Sequence, residues 1–393
     1  MTPQVLETLQ QLQQQRPEPF CAYVYDLDAL RQHIRTMRGA LPAGCELFYA
    51  AKANPEAPIL HALSDHVDGF EAASGGELSW LREQVPGKPL IFGGPGKLLS
   101  ELQQAVQLGV EVLHVESLTE LRRLQAIALE QNQTVSVLLR MNIALEGITG
   151  TRLMMGGKPT PFGLDEQELS AALDEIASSP LIKLRGFHFH LMSHQLDVDN
   201  HLTLIQMYLD KVRGWCDRWS LEIDLINVGG GIGINYLEPQ QHFDWTTFCQ
   251  RLPDVTQFSQ SQGWTLRFEC GRYIAAACGY YVMEVLDVKK NLGEWFAIAR
   301  GGTHHFRTPA AQSHNHPFSV LRREYNAAWI TDQPVTLVGQ LCTPKDVLAR
   351  QQMIAALAPG DWLVFHLAGA YAWNISHQNF LMHSPPEFIW LGM

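Results

Sequence analysis

From about Tyr23 to about Phe268, short apolar runs alternate with amphipathic stretches roughly eight times. The runs include "ELFYAAK", "VDGFEAA", "PLIFGG", "VEVLHVE", "VSVLLRMN", "LRGFHFHL", "IDLINVGGG" and "TLRFECG". Between them lie segments such as "SGGELSWLREQ" and "SLTELRRLQAIALEQN", whose apolar residues recur at helical spacing. Strand and helix alternating in this way predict a parallel (β/α)8 barrel of the TIM type. After about Cys270 the texture changes. "YYVMEVLDVKK", "EWFAIARGG", "PVTLVGQLC" and "DWLVFHLAG" read as strands without long helices between them, which predicts an antiparallel β domain. A chain of 393 residues suits two such domains.

Charge and composition narrow the function. The net charge is -11 with no basic cluster, so nucleic acid and anionic membranes are poor partners. The first segment, "MTPQVLETLQQLQQQRPEP", is a polar, Gln-rich helix without the features of a signal peptide, and no apolar run is long enough to span a bilayer. Seven scattered cysteines without CxxC spacing predict reduced thiols, a cytoplasmic protein and no zinc site.

Four stretches carry chemistry. In "FYAAKANPE" a buried strand leads into Lys52, at the C-terminal end of a barrel strand where catalytic groups sit. A desolvated lysine amine loses its charge readily and forms Schiff bases; the plainer reading is a lysine that snorkels to solvent. In "NVGGGIG", Gly229, Gly230 and Gly231 follow a late strand and can leave several backbone N–H groups free for an anion; the plainer reading is a packing turn. In "FECGRYIAA", Glu269 at a strand end can hold a ring nitrogen protonated and Arg272 can bind an anion, or the two form a local ion pair. "GFHFHLMSHQ" places His188 and His190 at strand spacing, with Ser193 following. No Glu or Asp lies nearby to complete a metal site, so a histidine stacked on a flat cofactor is the alternative, with a core histidine the default for His188. Together these are the parts that hold pyridoxal phosphate.

The same stretches resemble, in order, the pyridoxal-phosphate-dependent decarboxylases of the alanine-racemase fold group, which includes diaminopimelate and ornithine decarboxylases. "YAAKAN", "GFEAASGGEL", "FHFHLMS", "NVGGGIG", "ECGRYIA", "GQLCTPKDVL" and "AGAYAWN" carry the likeness across nearly the whole chain. The resemblance implies that Lys52 is the Schiff-base lysine and that His190 stacks on the ring. It implies that Ser193, Gly229, Gly230, Gly231, Arg272 and Tyr371 serve the phosphate. Glu269 would pair with the ring nitrogen, and Glu71 and Arg140 would surround the ring. Cys342 would be the proton donor, supplied by the partner subunit of a homodimer with shared sites. The barrel would span residues 26–268, with 1–25 and 269–393 forming the β domain.

Two departures bear on substrate. The family's proline in the strand-end motif is Cys270 here, which should matter little. The acidic residue that follows the cysteine in the family's amino-acid decarboxylases is Thr343 here, then Pro344 and Lys345, so the partner for a distal ammonium is lost. The family's specificity segment carries Arg300, His304, His305, Arg307, His314 and His316, which suit a distal carboxylate, although at least half could simply face solvent. The run "GAYAWNISHQNFLMHSPPEFIWL" resembles the subgroup serving citrate-containing siderophore synthesis. That implies a small-molecule substrate made of an amino acid joined to citrate, as in citryl-diaminopropionate or citryl-serine, bound through Arg307, Thr343, Lys345 and His304. Diaminopimelate decarboxylase, an amino-acid racemase and a non-catalytic cofactor carrier are the alternatives.

Overall fold

The computed structural model describes residues 1–15, 19–145, 156–324 and 326–393. They form two compact units. One comprises His33–Ile234 and His242–Tyr273; the other comprises Met1–Gln32, Asn235–Gln241 and Ile274–Met393.

The first unit is the expected barrel. Its strands are β1 (Cys45–Ala50), β2 (Gly69–Ala72), β3 (Leu90–Phe92), β4 (Val112–Val115), β5 (Val135–Asn142), β6 (Ile182–His188), β7 (Leu225–Asn227) and β8 (Thr265–Cys270). Each pairs in parallel with the next, and β8 returns to β1 in the register Glu269 to Phe48, closing the ring. The boundary read at residue 268 therefore cuts β8, which continues through Cys270. The strands are apolar on both faces because the barrel interior and the surrounding helices both cover them. Phe48, Ile91, Val112, Leu138 and Leu225, from five different strands, form one buried cluster.

Helix starts follow the local chemistry. Ser74 accepts from Glu77 N at 3.2 Å and Ser117 from Glu120 N at 3.1 Å, while each glutamate reaches back to the backbone ahead of its cap. The N-terminal mouth is closed by charge. Arg267 of β8 is 1% exposed, lies 4.0 Å from the Phe48 ring and pairs with Glu46 and Glu111, both at 2.7 Å. Glu269 lies two residues further along β8, so it shares the face of Arg267 about 7 Å nearer the opposite mouth. Gly186 makes the β6–β7 approach possible: its φ is +151°, and a Cβ there would lie 1.8 Å from the Leu225 carbonyl oxygen.

The second unit holds an eight-stranded sheet. Its long strand Gly279–Asn291 pairs antiparallel with Cys21–Asp26, Glu294–Ala299 and Trp362–Phe365. The sheet is mixed rather than antiparallel throughout. Glu387–Leu391 runs parallel to Cys21–Asp26, and Ile330–Val338 parallel to Glu294–Ala299. Strand patterning repeats every two residues whichever way the neighbour runs, so direction was not readable from it. The N-terminal segment completes this unit. Phe20 stacks on Trp362 at 4.2 Å, and Val5 and Leu9 of helix Pro3–Gln15 pack into the same cluster. Among the described residues no helix is long and apolar enough to cross a membrane.

Candidate active site

Polar side chains gather at the C-terminal mouth of the barrel, the end at which such barrels carry chemistry. Lys52 lies just beyond β1, in the single turn Ala51–Ala53. Its Nζ donates to both carboxylate oxygens of Glu71 on β2, at 3.0 and 2.9 Å. The lysine side chain is 38% exposed and that of Glu71 4%. Burial raises the Glu71 carboxyl; Lys52 opposes the rise and the nearby Glu269 adds to it. Gly271 keeps the end of β8 against this turn, since a Cβ there would lie 2.8 Å from the Ala53 side chain.

Glu269 is 6% exposed. Asn227, the last residue of β7, donates its side-chain amide to Glu269 Oε1 at 2.7 Å and accepts from Gly229 N at 2.9 Å. Burial pulls the Glu269 carboxyl up; His114, Lys52, His190 and the Asn227 amide pull it down, and together they prevail. His114 of β4 and His188 of β6 stack at 4.0 Å and approach Glu269 at 3.7 and 3.5 Å. Burial drives both histidines well below their ordinary 6.5. Among the described residues neither ring nitrogen of His188 has a hydrogen-bond partner. The sequence offered no carboxylate near His188, but the fold brings Glu269 to it from two strands away. One ligand atom each of His114, His188 and Glu269 lie within 4.8 Å of one another. A cation there and a protonated ring nitrogen would compete for the same Glu269.

The glycine loop follows β7. A Cβ on Gly229, Gly230 or Gly231 would meet Phe189, Glu269 or Met192 carbonyl oxygens at 2.5, 2.1 and 2.4 Å, and Gly229 and Gly231 have φ of +70° and +83°. Its amides are less free than the sequence suggested: Gly229 N donates to Asn227, and Gly230 N to His190 Nδ1 at 3.3 Å. That bond leaves the proton of neutral His190 on Nε2. Burial, aided by Lys52 and Arg140, pushes the His190 imidazole down to about 3. Ser193 follows in the segment packed over Gly231. Arg272 starts the short helix Arg272–Ala275 directly after β8. Arg140 of β5 pairs with Glu116 at 2.7 Å and lies 4.8 Å from the Phe162 ring. Glu116 also accepts from Gly94 N and Gly163 N. His114, Glu116 and Asn227 were missed from sequence; the available signal was a polar residue ending an apolar barrel strand.

The remaining candidates lie in the second unit. Its cavity of about 1120 Å³ is lined by all four proposed substrate residues: His304, Arg307, Thr343 and Lys345. His314 also reaches it. His304 is 1% exposed, and the equally buried His305 and His316 do not line the cavity: the His305 carbonyl accepts from Tyr23 OH at 2.8 Å, and His316 Nε2 lies 2.6 Å from the His366 carbonyl oxygen. Cys342 is exposed, between Leu341 and Thr343 of the cavity wall. Buried Asp346 holds this turn, accepting from Leu341 N at 2.9 Å, Thr303 N at 2.6 Å and Thr303 Oγ1 at 2.8 Å. Tyr371 has a left-handed backbone with φ of +49°, and its carbonyl accepts from Thr308 Oγ1.

The barrel histidines set a pH dependence. His114, His188, His190 and His201 all lie below 6.5 when folded, His201 at about 4. Below about 6.5 the unfolded chain binds protons that the folded barrel refuses, so stability is full above that pH and is lost as pH falls towards 4. Urea unfolding midpoints should fall steadily over that range, with uptake of more than one proton per molecule; a flat profile from pH 7 to 4.5 would contradict the burial described.

The model of the family described as pyridoxal-dependent decarboxylase, pyridoxal binding domain, matches residues 27–276. The chain is 45% identical over 98% of both chains to 2-[(L-alanin-3-ylcarbamoyl)methyl]-2-hydroxybutanedioate decarboxylase of Staphylococcus aureus. It is 32% identical to L-glutamyl-[BtrI acyl-carrier protein] decarboxylase of Niallia circulans, over 93% of this chain and 87% of the other. The crystal structure of Helicobacter pylori diaminopimelate decarboxylase complexed with L-lysine superimposes with a TM-score of 0.86 at 26% identity, covering 98% of this chain and 94% of that one. The chain therefore belongs to the pyridoxal-dependent decarboxylases and uses pyridoxal phosphate as its cofactor.

Proposed function

We propose that the enzyme removes the α-carboxylate of an amino acid joined through an amide to a citryl unit, as a step in carboxylate siderophore synthesis. One observation carries this reading: among the described residues the cavity wall of the second unit bears Arg307 and Lys345 and no Asp or Glu. A second ammonium, as on diaminopimelate, would find no carboxylate there, whereas distal carboxylates find cations. The Staphylococcus aureus relative supports the choice, since its name specifies an amide and a hydroxybutanedioate.

The barrel residues fit the cofactor. An amine at Lys52, a buried carboxylate at Glu269 and a glycine cradle that any Cβ would fill match its aldehyde, ring nitrogen and phosphate. When bound, pyridoxal phosphate supplies an electron sink for the pair left on the α-carbon as CO2 departs. In this reading Lys52 holds the cofactor, Glu71 orients the lysine, and Glu269, fixed by Asn227, keeps the ring nitrogen protonated. Neutral His190 would lie against the ring. Ser193, Gly229, Gly230, Gly231, Arg272 and Tyr371 bind the phosphate, and Arg140 completes the surrounding shell. The thiol of Cys342, brought by the second copy in a homodimer, gives its proton to the α-carbon and regains one from water. Arg307, Lys345, Thr343 and His304 hold the citryl end. The reading places the enzyme in the cytoplasm.

CO2 release by the cofactor-loaded enzyme tests the substrate class, with citryl-diaminopropionate, citryl-serine, meso-diaminopimelate, ornithine and lysine offered in parallel. A citryl conjugate should be preferred by about 100-fold or more, the worth of charge-assisted carboxylate contacts. Preference for diaminopimelate would refute the reading. Shared sites have their own test. Lys52→Ala and Cys342→Ala should each be inactive alone, yet co-expressed they should recover about a quarter of wild-type activity, because half the dimers then carry one intact site. No recovery would place both residues of each site in one subunit.

A further inference from the structure

The cavity carries a third cation that the sequence did not single out. Arg350 lies on the strand Val347–Leu357 and lines the same wall as Arg307 and Lys345. The three belong to different elements: Arg307 precedes the helix Thr308–Gln312, and Lys345 sits in the turn after Cys342. Among the described residues none of the three side chains makes an ion pair. In a chain of net charge -11, three unneutralised cations around one cavity constitute an anion site in waiting.

Arg350 is also placed with unusual care. Asn315 clamps its backbone from both sides: Arg350 N donates to Asn315 Oδ1 at 2.8 Å, and the Arg350 carbonyl accepts from Asn315 Nδ2 at 3.2 Å. The pairing with Ile330–Val338 slips here. Val335 faces Gln352 and Leu337 faces Ala349, so Thr336 stands opposite both Arg350 and Gln351. Such bulges re-aim side chains and recur beside active sites. Gln351 takes the left-handed conformation with φ of +49°, a strained choice for a side chain of its kind, and Thr336 Oγ1 accepts from its N–H at 3.2 Å.

We propose that Arg350 binds one of the two distal carboxylates of the substrate and determines specificity for a doubly carboxylated unit, with Asn315 as its positioning residue. This rests on the substrate class proposed above. A conjugate in which the leaving carboxylate sits on the amino acid still offers two carboxylates and a hydroxyl at its far end. Arg307 and Lys345 serve one carboxylate and Arg350 the other.

The test uses full-length, cofactor-loaded enzyme and two substrates: the citryl conjugate, and an analogue with one distal carboxylate replaced by a carboxamide. Wild type should prefer the full conjugate by about 10- to 100-fold in kcat/KM, through KM rather than kcat. In Arg350→Gln that preference should collapse to near one, and Asn315→Ala should reduce it part of the way with kcat retained. Thermal midpoints and cofactor absorbance establish that the variants are folded and loaded, and Arg350→Lys, which keeps the charge, should recover part of the preference. If Arg350→Gln keeps the wild-type preference, or lowers both substrates equally, the role of Arg350 is wrong while the substrate class stands. If wild type consumes neither conjugate, the substrate class itself fails and takes this inference with it.

Discussion

A buried carboxylate governs the barrel mouth. Placing Glu269 where water reaches 6% of it costs several kcal/mol unless charge and hydrogen bonds offset the loss. The surroundings supply both. Asn227 donates to it at 2.7 Å and ties it to the glycine loop, and Lys52 lies close enough to favour its ionised form. The stacked His114 and His188 approach it at 3.7 and 3.5 Å, and burial drives both imidazoles well below their ordinary range. One strand thereby organises both ends of the barrel, since Arg267, two residues earlier on the same face, neutralises Glu46 and Glu111 at the closed mouth.

The second unit uses the opposite charge logic. The lining loop from Gly339 to Asp346 is fastened by the buried Asp346 carboxylate, which accepts from the backbone N–H groups of Thr303 and Leu341. Gly302 and Gly339 leave room for that carboxylate, since a Cβ on either would lie 2.6 or 2.4 Å from an Asp346 oxygen. Asp346 is consumed in this way, and among the described residues the cavity wall carries arginines, a lysine, histidines, hydroxyls and the amides of Asn315, Gln378 and Asn379. Such a wall disfavours a ligand ammonium, which would lose its water and gain no carboxylate partner among the described lining residues.

The barrel was legible because its strands are covered on both faces and so read as continuous apolar runs, with Lys52, Glu269 and the glycines standing out against them. Cross-barrel partners were not legible. Nothing local ties His114 or Asn227 to Glu269, which lies 155 and 42 residues further on; only ring closure does. Strand direction in the second unit was equally hidden, since parallel and antiparallel strands share one alternation. Within "RGGTHHFRTPAAQSHNHP", composition offered cations and histidines, but it did not show that His305 would turn to Tyr281 and Cys21 while its neighbour His304 lined the cavity. Arg350 escaped notice inside an unremarkable polar strand; its bulge arises from pairing with a segment whose own register only the fold reveals.

The central claim is that Lys52, paired with Glu71, is the residue that holds the cofactor. Borohydride reduction of the loaded enzyme fixes the cofactor to the amine that bears it, and peptide mass mapping then locates the label. The account predicts a single labelled peptide containing Lys52 and none in Lys52→Ala. Label on Lys97, the buried lysine bound to Glu120, or on any lysine of the second unit, would contradict it.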